Sequence, residues 1–286
     1  MIPKRKYGKT DTKLSVIGFG GIVVMNADAR TSARVVAEAV EAGVNYFDVA
    51  PTYGNAEEML GPALQPYREK VFLACKTERR DARGAREHLV ESLKRLRTDR
   101  FDLYQLHAVT DVVKDVEAAF APGGAMDTLV AAREEGLVRY LGFSAHSPAA
   151  ALAAMEKFDF DSILYPVNLA CHFKSRFDQE PLRMAASKGM AVLALKAMAR
   201  GAWDSANTRA KREDYPKCWY EPCTTRDEAL AGLRFALSQP GVTAVLPPGD
   251  ERLFRLALSV AAQIETAEPD FAAAEAAVEE IVPIFR

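Results

Sequence analysis

The stretch ARVVAEAVEAGVNYFD, at residues 33–48, contains the unit from which the fold is built. Its apolar residues first recur at helical spacing and then form a short run that ends in Asp48. Gly43 lies between the two patterns, at the position where a glycine commonly ends a helix. The stretch therefore predicts a helix that stops directly before a β-strand.

The same alternation recurs along the chain. Eight short apolar runs are candidate strands, at residues 14–19, 44–48, 71–74, 101–106, 138–143, 162–165, 190–195 and 242–246. Segments with helical periodicity lie between most of them, and one of these begins with a capping-box pattern at Thr225 and Glu228. Eight strands that alternate with helices over about 250 residues are the content of a closed (β/α)₈ barrel.

An open, doubly wound sheet is the alternative α/β architecture. Its dinucleotide fingerprint, G-x-G-x-x-G after the first strand, is replaced here by GFGGI at residues 18–22. The sequence therefore favours an α/β fold of the (β/α)₈ TIM barrel type, with residues 1–286 forming a single domain.

Residues 201–224, between the seventh candidate strand and its helix, form a long polar segment that contains Trp203 and Trp219. Active sites of barrels lie in the loops that follow the strands. We therefore expect this segment to be an extended loop that covers the substrate pocket and favours bulky substrates.

The composition excludes several classes of protein. The chain has 286 residues, with 37 basic and 39 acidic side chains, and this balance argues against a nucleic-acid partner. No apolar stretch reaches the roughly 20 residues that span a bilayer. The four cysteines are expected to be reduced thiols in a cytoplasmic protein, and the spacing of Cys218 and Cys223 does not favour a metal site. The sequence predicts no particular oligomeric state.

Four polar side chains lie at or just beyond the ends of three neighbouring candidate strands. They are Asp48 and Tyr53 after the second strand, Lys76 after the third and His107 after the fourth. Each alone has a structural explanation, such as a cap, a packing contact or a core histidine. Together they are more informative, because a lysine and an aspartate that follow buried runs must neutralise each other. A nearby ammonium is expected to lower the pKa of the Tyr53 phenol and to let it exchange protons nearer neutral pH.

The residues at these strand ends resemble those of aldo-keto reductases. The similarity is carried by YGKT at 7–10, GVNYFDVAPTYG at 43–54 and GVTAVLP at 241–247, with Lys76 and His107 at later strand ends. The resemblance implies a (β/α)₈ barrel and reversible, NAD(P)H-dependent reduction of small aldehydes or ketones to alcohols by hydride transfer. It also implies that Tyr53 is the general acid, that Lys76, held by Asp48, lowers its pKa, and that His107 orients the carbonyl.

The resemblance further implies a nicotinamide cofactor, with NADPH favoured and NADH possible. The residues expected to contact it are Gly21, Ile22, Asp48, Ser144, His146, Lys196, Ala197, Gly249, Arg252 and Arg255. Four places depart from the family pattern: Ala145 replaces an asparagine, Leu164 replaces a glutamine, Lys196-Ala197-Met198 lacks the stacking tyrosine, and the phosphate-binding lysine after the eighth strand is missing. We expect Gly249, the following helix N-terminus and Arg252 or Arg255 to replace that lysine. The alternative is that both arginines are solvated helix residues.

Two other functions remain open at this stage. Lys76 at a barrel strand end could form a Schiff base, as in lysine-dependent aldolases, although Asp48 would hold it charged. The departures on the cofactor side also fit a non-catalytic barrel that senses a cofactor or binds a partner. The four intact candidate catalytic positions favour the reductase.

Overall fold

Parallel strands close into a barrel at the centre of the molecule. The computed structural model describes residues 2–204 and 209–286, and the strands in these ranges are β1 (Lys4–Lys6), β2 (Lys13–Ser15), β3 (Phe19–Gly20), β4 (Tyr46–Asp48), β5 (Phe72–Thr77), β6 (Phe101–Val109), β7 (Val138–Ala145), β8 (Ser162–Pro166), β9 (Ala191–Leu195), β10 (Ala199–Gly201), β11 (Glu221–Pro222) and β12 (Val242–Leu246). Eight of them form one sheet in the order β12, β9, β8, β7, β6, β5, β4, β3, with every pair parallel. The two ends of the sheet meet where the Gly18 amide donates to the Val245 carbonyl at 2.8 Å and the Val245 amide donates to the Val16 carbonyl at 2.9 Å. The predicted (β/α)₈ barrel is confirmed.

Helices alternate with the barrel strands. Those described are α1 (Ala29–Glu41), α2 (Ala56–Leu64), α3 (Ala82–Arg95), α4 (Ala118–Phe120), α5 (Ala125–Glu134), α6 (Pro148–Lys157), α7 (Leu169–Ser175), α8 (Gln179–Ser187), α9 (Arg226–Ser238), α10 (Glu251–Val260) and α11 (Phe271–Ala276). Gly43 follows α1 with a φ of +98°, a conformation that favours glycine and ends the helix before β4. The capping box predicted at Thr225 is also present, because the amide of Glu228 donates to Thr225 Oγ1 and the amide of Thr225 donates to the Glu228 carboxylate.

The first predicted strand, residues 14–19, is divided between two elements. Leu14 and Ser15 belong to β2, which pairs with β1 in an antiparallel hairpin, and the barrel strand β3 begins only at Phe19. Tyr7, in the connection between β1 and β2, donates a hydrogen bond of 2.7 Å to Ser162, the first residue of β8. The hairpin therefore lies at the end of the barrel where the strands begin, and Leu14 is apolar because it packs there and not because it is in the barrel wall.

The segment predicted as a long loop is partly ordered by strand pairing. β10 and β11 are antiparallel neighbours at its two ends, and the Trp203 indole donates to the Cys218 carbonyl at 3.1 Å. Lys217 donates to the carbonyl of Val23, in the turn after β3, at 2.9 Å, so the segment extends past β12 to the turn after β3. Residues 205–208 of the predicted loop lie outside the described residues.

Neither a membrane-spanning helix nor a metal-binding cluster occurs in the described ranges. There, no helix is long and apolar enough to cross a membrane. The same ranges contain no cluster of three or more histidine, cysteine, aspartate or glutamate side chains that could hold a metal ion.

Candidate active site

A buried ion pair joins the ends of the second and third barrel strands. The ammonium of Lys76, which has no exposed surface, donates to the Asp48 carboxylate and, at 3.2 Å, to the Val49 carbonyl. The other carboxylate oxygen of Asp48 accepts hydrogen bonds from Tyr46 Oη at 3.1 Å and from Gln105 Nε2 at 3.0 Å. Both charges are therefore compensated, as a pair removed from water must be.

The pair determines the charge state of Lys76. Burial alone would lower the pKa of its ammonium, but its neighbours, Asp48 foremost, outweigh burial and raise the pKa above its ordinary value. An amine held protonated in this way is a poor nucleophile, which argues against Lys76 as a Schiff-base residue.

Tyr53 and His107 lie beside this pair. Tyr53 follows β4, and Lys76 Nζ is 5.6 Å from the centre of its ring. Tyr53 Oη is 3.5 Å from His107 Nε2, and the two rings meet edge to face. The structure thus brings together all four side chains that the sequence placed at strand ends.

The pKa of Tyr53 differs from the sequence-based expectation. Burial raises the pKa of the phenol, and the opposing effect of Lys76 only partly offsets it. The expected net lowering of the Tyr53 pKa is therefore wrong for this structure. Burial removes the phenolate from water, and this destabilises it more than the nearby ammonium stabilises it. The phenol remains protonated and can donate a hydrogen bond or a proton.

His107 is neutral throughout the working pH range. Burial, together with the charge of Lys76, lowers the pKa of its imidazole to about 2. Its Nδ1 lies 3.5 Å from a carboxylate oxygen of Glu78, and its carbonyl accepts a hydrogen bond of 2.6 Å from Arg80. These contacts fix the strand end that carries the ring.

Most residues expected on the cofactor side line the same cleft as Tyr53. They are Ile22, Asp48, Ser144, His146, Lys196 and Gly249. Ser144 Oγ accepts a hydrogen bond from the Ala108 amide at 2.8 Å. A Cβ atom at Gly249 would lie 2.2 Å from Cγ2 of Ile22, so the turn after β12 and the turn after β3 approach closely only because residue 249 is glycine.

Gly21 and Ala197 do not present side chains to the cleft. A Cβ atom at Gly21 would be 2.7 Å from Cγ2 of Val49, which explains the glycine by packing. Ala197 belongs to the turn after β9 and is buried. Their contribution to a ligand site is limited to the backbone.

Arg252 and Arg255 lie on α10 and are engaged by carboxylates. Arg252 forms two contacts with Asp250, at 3.1 and 2.9 Å. Arg255 contacts Glu38 at 2.8 Å and Glu251 at 2.7 Å. Both guanidinium groups are therefore paired with carboxylates while they remain exposed to solvent, and their binding of a phosphate stays a prediction.

Three residues that line the cleft or contact its lining were not predicted individually. Gln105 holds Asp48, and its only sequence signal is a polar residue within the apolar run of β6. Lys217 lines the cleft beside Trp219 and Tyr220. All three belong to segment 201–224, which the sequence predicts to cover the substrate pocket. Phe285 stacks on His146 with ring centres 5.5 Å apart, and no local pattern connects two residues so distant in the chain.

A closed barrel with a buried lysine–aspartate pair, a tyrosine and a histidine at its strand ends is the arrangement that the resemblance to aldo-keto reductases implied. The family model for the aldo/keto reductase family matches residues 16–263. The chain belongs to the aldo/keto reductase family.

Individual relatives agree with this assignment. An uncharacterized oxidoreductase, YqkF, of Bacillus subtilis (strain 168) is 28% identical over 278 residues, which cover 85% of each chain. The aldo-keto reductase YhdN of the same organism is 30% identical over 206 residues, covering 66% of this chain and 58% of that protein. The holo form of an aldo-keto reductase from Bacillus halodurans has the same fold, with a TM-score of 0.74 at 21% identity over 99% of this chain and 97% of that one.

Proposed function

We propose that the protein reduces aldehydes or ketones to alcohols with a nicotinamide cofactor and with Tyr53 as the proton donor. One observation supports this most strongly: the protonated Tyr53 phenol lines the cleft 3.5 Å from His107 Nε2 and beside the Lys76–Asp48 pair. Reduction of a carbonyl builds negative charge on its oxygen, and donors already in place around that oxygen stabilise the transition state more than the ground state.

Each side chain of the cluster has a distinct proposed role. Tyr53 gives its proton to the carbonyl oxygen. Lys76, kept charged by Asp48, stabilises the phenolate that Tyr53 becomes, and the neutral imidazole of His107 orients the carbonyl. Oxidation of an alcohol uses the same groups in reverse.

The residues present fit a dinucleotide. The cleft extends from Tyr53 to Gly249, where the close approach of backbone to Ile22 leaves main-chain groups accessible. Gly21, Ile22, Ser144, His146, the turn at Lys196 and Ala197, and Gly249 are the residues proposed to hold it. When bound, the nicotinamide ring supplies the hydride.

We propose that the protein uses NADPH with only a small preference over NADH. Preference for NADPH requires a cation that binds its additional phosphate. Asp250 already neutralises Arg252, and Glu38 and Glu251 neutralise Arg255, so a phosphate must compete with these carboxylates.

The location of Trp219 and Tyr220 in the cleft also supports our proposal that segment 201–224 contacts the substrate and favours bulky carbonyls.

Turnover is the direct test. Purified protein is mixed with NADPH or NADH and a panel of aliphatic and aryl aldehydes and ketones, and cofactor oxidation is followed by its absorbance. Carbonyl-dependent oxidation is expected. Cofactor binding without turnover of any carbonyl would instead favour the non-catalytic barrel.

A further inference from the structure

A second ammonium group, that of Lys196, lies in the cleft beside the proposed catalytic cluster. Lys196 follows β9 and lines the cleft together with Tyr53 and His107. Its backbone has a φ of +66°, a conformation that residues other than glycine rarely adopt. Strained backbone of this kind persists where the surrounding structure holds it, and it is concentrated at functional sites.

The surroundings of this ammonium are aromatic. Lys196 Nζ lies 5.3 Å from the ring centre of Trp219 and 5.2 Å from that of Tyr220. In residues 2–204 and 209–286 it forms no ion pair with a carboxylate, and burial lowers the pKa of its ammonium. Lys76, by contrast, is neutralised by Asp48. A largely buried cation whose contacts are two ring faces retains the capacity to bind an anion.

A second unpartnered group borders the same cleft. His146 Nε2 is buried and has no hydrogen-bond partner among the described residues. Its ring stacks on Phe285, and burial, together with the charge of Lys196, lowers the pKa of the imidazole to about 4. The neutral imidazole can donate one hydrogen bond through this nitrogen if it carries the proton.

We propose that Lys196 and His146 bind a carboxylate of the substrate, so that the preferred substrates are aldehydes or ketones that also carry a carboxylate. This rests on the proposed carbonyl reduction and names its substrate class. Lys196 lines the same cleft as Tyr53 and His107, so its ammonium borders the proposed catalytic cluster. The backbone at His146, Lys196 and Ala197 keeps its proposed role beside the cofactor, and only the side chains of Lys196 and His146 are proposed to contact the substrate.

The test compares acids with their esters. Succinic semialdehyde and pyruvate are each paired with the corresponding methyl ester, and kcat/KM is measured for all four with NADPH. We expect the acid to be preferred in at least one pair. Because the two acids differ in the separation of carbonyl and carboxylate, the pair that shows the preference indicates which separation the cleft accommodates. In Lys196→Met the acid-to-ester ratio should fall roughly 10- to 100-fold, the scale of a lost charge-assisted hydrogen bond. Lys196→Arg should restore part of it.

A matched control removes the same charge elsewhere. Lys188 pairs with Asp159 at 3.0 Å, shortly before β9 begins and therefore at the opposite end of the barrel. Lys188→Met should leave the ratio unchanged, which separates a local contact from the effect of net charge. A second measurement needs no variant: succinate should inhibit the unaltered enzyme competitively against the aldehyde, and succinamide should not.

Three results would overturn the inference. They are an unchanged ratio in Lys196→Met, an equal loss for acid and ester together with weaker NADPH binding, and equal inhibition by succinate and succinamide. The second result would assign Lys196 to the cofactor. If the unaltered protein turns over no carbonyl at all, the proposed function fails, and binding of succinate measured by calorimetry still tests the anion site separately.

Discussion

At the scale of single residues, Tyr53 carries the proposed chemistry. Tyr53→Phe removes the proton donor and leaves the ring, its packing and the Lys76–Asp48 pair in place. We expect kcat for carbonyl reduction to fall by orders of magnitude, because no other group in the cluster can supply the proton. The Kd for NADPH, measured by fluorescence titration, should not change. A variant that keeps half of the original kcat would exclude Tyr53 as the general acid.

The Lys76–Asp48 pair combines a structural role with the proposed catalytic one, and a double-mutant cycle separates them. Asp48→Asn leaves a buried ammonium without its counter-charge, and Lys76→Met leaves a buried carboxylate with only Tyr46 and Gln105 as donors. Each single variant should lose about 3–5 kcal/mol in free energy of unfolding. The double variant should recover stability relative to either one but remain inactive. Recovery of activity in the double variant would contradict the proposed role of Lys76.

Lys196 gives the cleft a pH dependence of its own. Burial lowers the pKa of its ammonium to about 8, whereas the pKa values of the facing imidazoles, His107 and His146, are lowered to about 2 and about 4. The Cys218 thiol and the Tyr220 phenol, which also face it, have raised pKa values and stay protonated. As the pH rises through about 8, Lys196 alone among these groups loses its charge. We therefore expect kcat/KM for carboxylate substrates to fall above that pH while that for their esters does not, and parallel profiles would contradict this.

At the scale of elements, we predict that the N-terminus of α10 influences the balance between NADPH and NADH. Asp250 caps this helix by accepting from the Arg252 amide at 2.9 Å and also neutralises the Arg252 side chain. Asp250→Asn keeps a residue that caps well and frees the guanidinium for a phosphate. We expect the Kd for NADPH to fall roughly tenfold, with that for NADH nearly unchanged. Arg252→Ala is the matched control. Equal changes for both cofactors would show that this helix end does not contact the additional phosphate.

The elements also show which parts of the fold can be predicted from sequence. Barrel strands are buried on both faces, so they appear as continuous apolar runs, and Gly43 marks the end of α1 within the sequence itself. The boundary between β2 and β3 cannot be found in this way, because Leu14 is as apolar in the hairpin as it would be in the barrel wall. Local pattern identifies buried segments, and only the tertiary structure assigns them to separate layers.

Across the whole molecule, the sequence predicted the site residues that lie at strand ends. It did not predict the contacts between side chains that are distant in the chain. Asp48 and Lys76 had to meet because adjacent strands carry them. The pairing of Arg255 with Glu38 joins α10 to α1, and the stacking of Phe285 on His146 joins the end of the chain to β7; neither follows from spacing. These long-range contacts decide which charges remain available to a ligand.

The last prediction concerns the stability of the whole barrel. A ligand that binds only the folded chain stabilises it by about 2.7 kcal/mol when present at about 100 times its Kd. For a domain of about 150–250 residues each 1 kcal/mol raises Tm by roughly 2–4 °C, and the increment falls as the domain grows, so the cofactor at this concentration should raise Tm by roughly 3–5 °C. Tyr53→Phe should show the same shift as the unaltered protein, because Tyr53 is proposed to act on the carbonyl and not on the cofactor. A shift in Tm with no turnover of any carbonyl would favour the cofactor-sensing barrel, and no shift with either NADPH or NADH would contradict a nicotinamide site in this cleft.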